Sequence, residues 1–143
     1  MAERQKVQVW IYRRGDGQRP WEYLVLLMKP ERGGFWQPVT GSVEDGEAVP
    51  TAALREAKEE TGFEFEHPVE SLKSSFTFES RGHRFREHGF GLEAPQEGKV
   101  RLDPHEHIAY RWVSAEEALK LMRFSENAAM LSLLLKHQNR SGS

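Results

Sequence analysis

The chain contains no cysteine. Disulfides, thiolate zinc sites and a cysteine nucleophile are therefore excluded, and a reducing compartment such as the cytoplasm is expected. Long apolar runs are also missing. Stretches such as Leu24–Met28 and Met130–Leu135 fall far short of the roughly 20 residues that cross a bilayer as a helix, so no membrane association is expected. The opening MAERQKVQVW has no apolar stretch ahead of a cleavage site, and no secretory signal is read there. A surplus of one charge sign is absent too. Twenty basic residues face 22 acidic ones, for a net charge of −2. That balance argues against a general nucleic-acid binder, which carries a basic excess. No internal repeat or low-complexity tract interrupts the chain. What remains is 143 residues, 38% hydrophobic and 29% charged. This is the size and composition of one domain that buries its own core. The domain is expected over residues 1–137, with 138–143 as a polar, flexible tail.

Hydrophobic periodicity predicts the elements. Val7–Arg14 alternates apolar and polar residues and reads as a strand. It is followed by a turn at Gly15-Asp16-Gly17 and a second strand at Tyr23–Met28, the two pairing as a hairpin. Phe35–Val39 reads as a short strand delivering Gly41. A helix is expected over residues 48–61, with Pro50 in its first turn and Gly62 just past its end. Strands follow near Leu72–Phe78, Phe85–Leu92 and His107–Val113. Ser114 and Glu117 form a capping box, and a last helix spans about Glu126–Lys136. Strands with helices interspersed and terminal predict an α/β domain with a mixed sheet.

The densest information lies in Gly41–Phe63, GSVEDGEAVPTAALREAKEETGF. On a helix, residues three and four apart share a face, so Glu56, Glu59 and Glu60 cluster while Leu54 and Ala57 turn elsewhere. Crowded carboxylates raise one another's pKa unless a cation relieves the repulsion. Oxygen-only donors favour Mg²⁺, with Mn²⁺ as a substitute, over zinc. Arg55 can orient Glu47 and its neighbours through bidentate hydrogen bonds. Gly41 is expected to permit a close turn that brings its carbonyl toward the metal.

This run resembles the Nudix box, filling each of its fixed places from Gly41 through Glu47, Arg55-Glu56, Glu59-Glu60 and Gly62. The resemblance implies an α/β/α sandwich and a Mg²⁺-dependent pyrophosphohydrolase. It implies Gly41, Glu56, Glu59 and Glu60 as metal site residues, and Arg55 and Glu47 as the groups that orient them. A second cluster, His105-Glu106-His107-Ile108-Ala109-Tyr110-Arg111-Trp112, is similar to a segment of several Nudix enzymes. There the glutamate is a further metal ligand or the base, a role carried to Glu106. On a strand, His105 and His107 would share the side away from Glu106 and lie exposed, with Tyr110 and Trp112 in or near the core. The base is then Glu59, Glu60 or Glu106.

The run Phe35-Trp36-Gln37-Pro38-Val39-Thr40-Gly41-Ser42-Val43-Glu44 is similar to that of bacterial dihydroneopterin triphosphate pyrophosphatases, also described as dATP pyrophosphohydrolases. That likeness implies a small-molecule nucleotide or pterin triphosphate as substrate, cleaved to monophosphate and pyrophosphate. Lys29, Thr40 and Trp36 become substrate contacts by it, although a tryptophan here also reads as core. The half from Val100 to Phe124 equally resembles animal-type diadenosine tetraphosphate hydrolases. An RNA-end pyrophosphohydrolase and a non-catalytic nucleotide sensor are further alternatives. The basic segment Arg81, His83, Arg84, Arg86 and His88 reads either as a solvated strand edge or as a phosphate-facing strip.

Overall fold

A computed structural model describes residues 2–15 and 21–141. The expected turn at Gly15–Pro20 and the terminal Gly142-Ser143 thus lie largely outside the described residues. The strands are β1 (Glu3–Arg14), β2 (Trp21–Met28), β3 (Trp36–Gln37), β4 (Val39–Ser42), β5 (Glu70–Ser80), β6 (His83–Glu93) and β7 (His107–Val113). The helices are α1 (Val49–Thr61), α2 (Ala115–Leu121) and α3 (Ser125–Ser141), with a 3₁₀ turn at Pro30–Arg32.

All seven strands join one mixed sheet, in the order β3-β2-β1-β6-β5, with β4 on β1 and β7 on β2. Among the described residues only the β1–β6 pair is parallel, its register running from Glu3 opposite Arg84 to Tyr12 opposite Glu93. Strand alternation on β1 builds two cores. Val7, Val9 and Ile11 join Leu24, Leu26, Val39, Phe90 and Leu92 under Ala52, Ala53 and Ala57 of α1. Trp10 and Tyr12 turn to the opposite face and meet Val25, Val113, Ala118, Met130 and Leu134 beneath α2 and α3. The result is an α/β/α sandwich with the mixed sheet predicted. Three alanines on α1 have little side chain to fill the gap, so that helix lies close on the sheet.

Besides β1 starting at Glu3 and not at Val7, and β5 running from Glu70 to Ser80, two boundaries differ from expectation. The strand at Phe35–Val39 divides into β3 and β4 at Pro38, which has no N–H to give a ladder. The last helix runs past Lys136 to Ser141, into the stretch expected to be a tail. It is held there by long-range contacts: the Tyr23 hydroxyl donates to the Gln138 side chain 115 positions away, and Glu70 bonds both Tyr12 and His137. The Ser114 cap forms as predicted, its hydroxyl accepting from the Glu117 N–H at 3.2 Å. Arg81 and Gly82, both at positive φ (51° and 80°), make the β5–β6 turn. The basic segment is thus strand and turn. Arg86 is a bidentate partner of Glu3, at 2.8 and 3.2 Å, and His88 bonds Gln5 at 2.7 Å.

Candidate metal and active site

Helix α1 begins without a side-chain cap but with Pro50 in its first turn, and ends at Gly62 in the left-handed region, where the Gly62 N–H reaches the Lys58 carbonyl at 2.8 Å. Between these ends, Arg55 organises the acidic face. Its Nε and Nη2 donate to the two Glu47 oxygens at 2.8 and 3.0 Å, a bidentate fork. Its Nη1 donates to Glu56 at 2.8 Å and to Glu59 at 3.3 Å, and Nη2 also reaches the Ser42 carbonyl at 2.9 Å. The Arg55 guanidinium, with the Glu44 N–H second, brings the Glu47 pKa down to about 2.

Glu56 explains the glycine at the start of the run. A Cβ on Gly41 would stand 2.1 Å from the Glu56 carboxylate. Gly41 is an ordinary strand residue of β4, since the described glycines with positive φ are 33, 34, 46, 62 and 82. The expectation of a tight turn at Gly41 is therefore corrected: glycine is needed there because a carboxylate fills the place of its side chain.

Glu60 is the unusual member. It is 2% exposed, and neither of its carboxylate oxygens has a hydrogen-bond partner. Burial first, then a hydrogen bond of the protonated carboxyl with Glu56 and the charges of Glu56, Glu106 and Glu59, pushes its pKa up to about 10. An unpartnered buried carboxylate costs several kcal/mol unless it is protonated or meets a cation. Donor atoms of Glu60, Glu106 and His107 all lie within 4.8 Å of one another. The carboxylate oxygens of this group fit a hard divalent cation, and the imidazole nitrogen stands beside them. Glu106 is partly open to solvent, with Arg32 Nη1 at 4.0 Å. Glu59 is the most open of the helix carboxylates, its side chain 56% exposed.

His107 corrects a sequence expectation. It is buried at 2%, whereas Tyr110 is 42% exposed. The strand starts at His107, as expected, and His105 before it sits in a turn closed by its N–H on Asp103 Oδ1 at 2.9 Å. The β2–β7 register also slips between Leu27 and Met28, passing from Ala109 to His107 and leaving Ile108 as an extra residue. Such a bulge reverses the alternation and turns His107 to the α1 face. There its Nδ1 lies 3.8 Å from Glu60 Oε1. Its Nε2 lies 3.3 Å from the amide nitrogen of buried Gln37. Burial lowers the His107 pKa, so the ring is neutral near pH 7. Simple alternation could not find this contact, because it depends on the bulge.

The three expected substrate contacts separate. Lys29 lies beside the site, its N–H bonded to the Glu106 carbonyl at 3.1 Å. Thr40 pairs with Gln8 and so faces away from α1, toward the buried Gln8–Glu87 contact at 2.9 Å. Trp36 packs against the α2–α3 core, with the Arg111 guanidinium 5.7 Å from its ring centre. The sheet thus stands between these two side chains and the carboxylates.

The raised Glu60 pKa gives a pH prediction. Folded Glu60 keeps its proton above the unfolded value of 4.5, so its contribution is complete below that value and drains away as the pH climbs toward the folded one. His107 has the opposite slope, but only below about pH 6.5. Metal-free protein should therefore lose thermal stability between about pH 7 and 9. Excess Mg²⁺, which takes the deprotonated carboxylate, should flatten that loss. Melting curves at pH 7, 8 and 9 in EDTA and in Mg²⁺ measure it; parallel curves would remove the metal from Glu60.

Comparison with known proteins agrees with this geometry. The NUDIX domain family matches residues 4–134. The dihydroneopterin triphosphate diphosphatase of Escherichia coli K12 is 33% identical over 117 residues, covering 73% of this chain and 77% of that protein. An octanoyltransferase of Myxococcus xanthus is 39% identical over 71% of this chain, but the chain spans only 29% of that protein's length. Among solved structures, a C. elegans Ap4A hydrolase binary complex superposes with a TM-score of 0.80 at 25% identity, over 95% of this chain and 98% of that one. No described helix is long and apolar enough to cross a membrane.

Proposed function

This chain belongs to the Nudix hydrolases, enzymes of diphosphate linkages, and we propose that it hydrolyses a pterin or nucleoside triphosphate to the monophosphate and pyrophosphate with Mg²⁺. One observation carries the reading: a fully buried, unpartnered Glu60 carboxylate in a group with Glu56, Glu59 and Glu106. Glu56, Glu59, Glu60 and Glu106 would hold the metal, with Gly41 leaving the space that Glu56 fills. When bound, the cation neutralises phosphate charge and lowers the pKa of an attacking water. Arg55 fixes Glu47, Glu56 and Glu59 in one arrangement before substrate arrives, the pre-organisation that an electrostatic site requires. Lys29, adjacent to Glu106, offers the positive charge for a substrate phosphate. A carboxylate of Glu59, Glu60 or Glu106 accepts the proton of the water.

Support for a triphosphate comes from the 33% identity to the E. coli diphosphatase and from the Phe35–Glu44 run. A second reading, hydrolysis of a dinucleoside polyphosphate, is favoured by the near full-length likeness to the C. elegans Ap4A hydrolase. A substrate panel with product identification separates them. The first reading expects pyrophosphate from dihydroneopterin triphosphate or dATP; the second expects ATP plus AMP from diadenosine tetraphosphate. Orthophosphate alone from every substrate would contradict both.

A further inference from the structure

We propose that Gln37 and His107 are a positioning pair behind Glu60: Gln37 sets which ring nitrogen of His107 carries the proton, and His107 holds one Glu60 oxygen so that the other is presented to the divalent cation. The inference rests on the reading of Glu60 as a metal ligand.

The chemistry of the atoms gives the direction of the relay. Gln37 approaches with its amide nitrogen, 3.3 Å from His107 Nε2. With the amide in this orientation its nitrogen donates, ring Nε2 accepts and the ring proton sits on Nδ1. That Nδ1 has no hydrogen-bond partner, and the nearest acidic oxygen is Glu60 Oε1 at 3.8 Å. Glu60 Oε1 is itself unpartnered. Two orphaned atoms of opposite character thus face each other in a buried place. Gln37 is 8% exposed, His107 2% and Glu60 2%.

The fold builds this contact from three segments. β2 pairs with β3 on one side, Leu26 opposite Gln37, and with β7 on the other, Met28 opposite His107. Ordinary alternation on β3, opposite Leu26 of the α1-side core, and the bulge at Ile108 on β7 turn the two side chains toward the third segment, α1. Metal sites commonly fix a ligating histidine through a carboxylate or carbonyl beyond it. Here the order is reversed, and a histidine fixes a ligating carboxylate. The arrangement gives Gln37 and His107 a shared physical role, though neither belongs to the Gly41–Phe63 run.

The test uses the full chain, with Mn²⁺ as the metal probe. Long-range ¹H–¹⁵N NMR of the metal-free protein at pH 7.5 should show His107 as the neutral Nδ1–H tautomer, and Gln37→Leu should lose that preference. His107→Leu should weaken Mn²⁺ binding, followed by electron paramagnetic resonance, by about 10–100-fold. His107→Asn, whose amide nitrogen can stand where Nδ1 stands, should bind close to the parent. An Nε2–H tautomer in the parent would overturn the proposal. So would parent-like Mn²⁺ binding in His107→Leu, or an equal loss in His107→Asn, which would indicate packing alone. If circular dichroism shows His107→Leu unfolded, the parent tautomer and the Gln37→Leu spectrum decide. A parent chain that binds no Mn²⁺ removes the metal reading and this proposal together. Binding in the parent with no loss in His107→Leu removes the proposal only.

Discussion

Glu60→Gln should lower Mg²⁺-dependent turnover by about 10³-fold, within the range for losing a group that carries charge or a proton in the transition state. The same change should leave the chain folded. Glutamine keeps the shape of the side chain, and its amide can still donate to the neighbouring Glu56 carboxylate as a protonated Glu60 does. Stability in EDTA should even change in a diagnostic way. Parent Glu60 must either hold a proton that solution at pH 9 tends to remove or remain as an uncompensated buried charge. Glutamine has no such equilibrium. The variant should therefore melt above the parent at pH 9 in EDTA, with little change between pH 7 and 9. Mg²⁺ should raise the parent's melting temperature and hardly move the variant's. Turnover at the parent rate would show that the metal and the chemistry lie elsewhere.

Gly41→Ala should be nearly as damaging to activity, through a single methyl group. The new Cβ would stand 2.1 Å from Glu56 Cδ and Oε2, far inside van der Waals contact. Glu56 cannot simply swing away, because Arg55 Nη1 holds its Oε1 at 2.8 Å and the same guanidinium is committed to Glu47. Either Glu56 leaves the fork or β4 and α1 part slightly. Overpacking of this kind costs about 1–3 kcal/mol of stability. Displacing a positioned carboxylate costs roughly 10²-fold in turnover. Gly82→Ala is the control. Gly82 sits at φ +80° in the β5–β6 turn with open space around it, so alanine there costs about 1 kcal/mol in backbone strain and leaves turnover unchanged. If Gly41→Ala kept full Mg²⁺-dependent activity, the close approach of Glu56 to β4 would have no functional meaning.

These predictions draw on different layers of the sequence. Helix α1 was legible within one residue, because Pro50, the alanines and Gly62 act locally and the i, i+3, i+4 rule needs no tertiary partner. The clustering of Glu56, Glu59 and Glu60 followed from the same rule, as did the reach of Arg55 to its neighbours. β7 was legible at both ends and the Ser114 cap in its atoms.

What escaped depended on pairing between distant strands. His107 was expected at the surface because alternation assumes an unbroken ladder, and the slip opposite Leu27 and Met28 breaks it. Gln37 gained its partner only once β3 and β7 flanked β2. Thr40 is next to Gly41 in sequence and Trp36 five residues before it, but the pleat sends both to the far face of the sheet. The helical extension to Ser141 follows from Tyr23, Tyr12 and Glu70, none of them near it in sequence. The expected turn at Gly41 is absent, because its backbone is that of strand β4. The importance of Gly41 stands on Glu56, a contact made across the gap between β4 and α1.

The central claim is that the acidic face of α1, with Glu60 buried at its end, holds a divalent cation on which hydrolysis of a diphosphate depends. The most direct measurement is product release from dihydroneopterin triphosphate and from diadenosine tetraphosphate, by the parent chain, in EDTA and across a Mg²⁺ titration at pH 8. The account predicts no turnover of either compound in EDTA and a saturable rise with Mg²⁺ for at least one. Equal rates in EDTA and in saturating Mg²⁺ would contradict it.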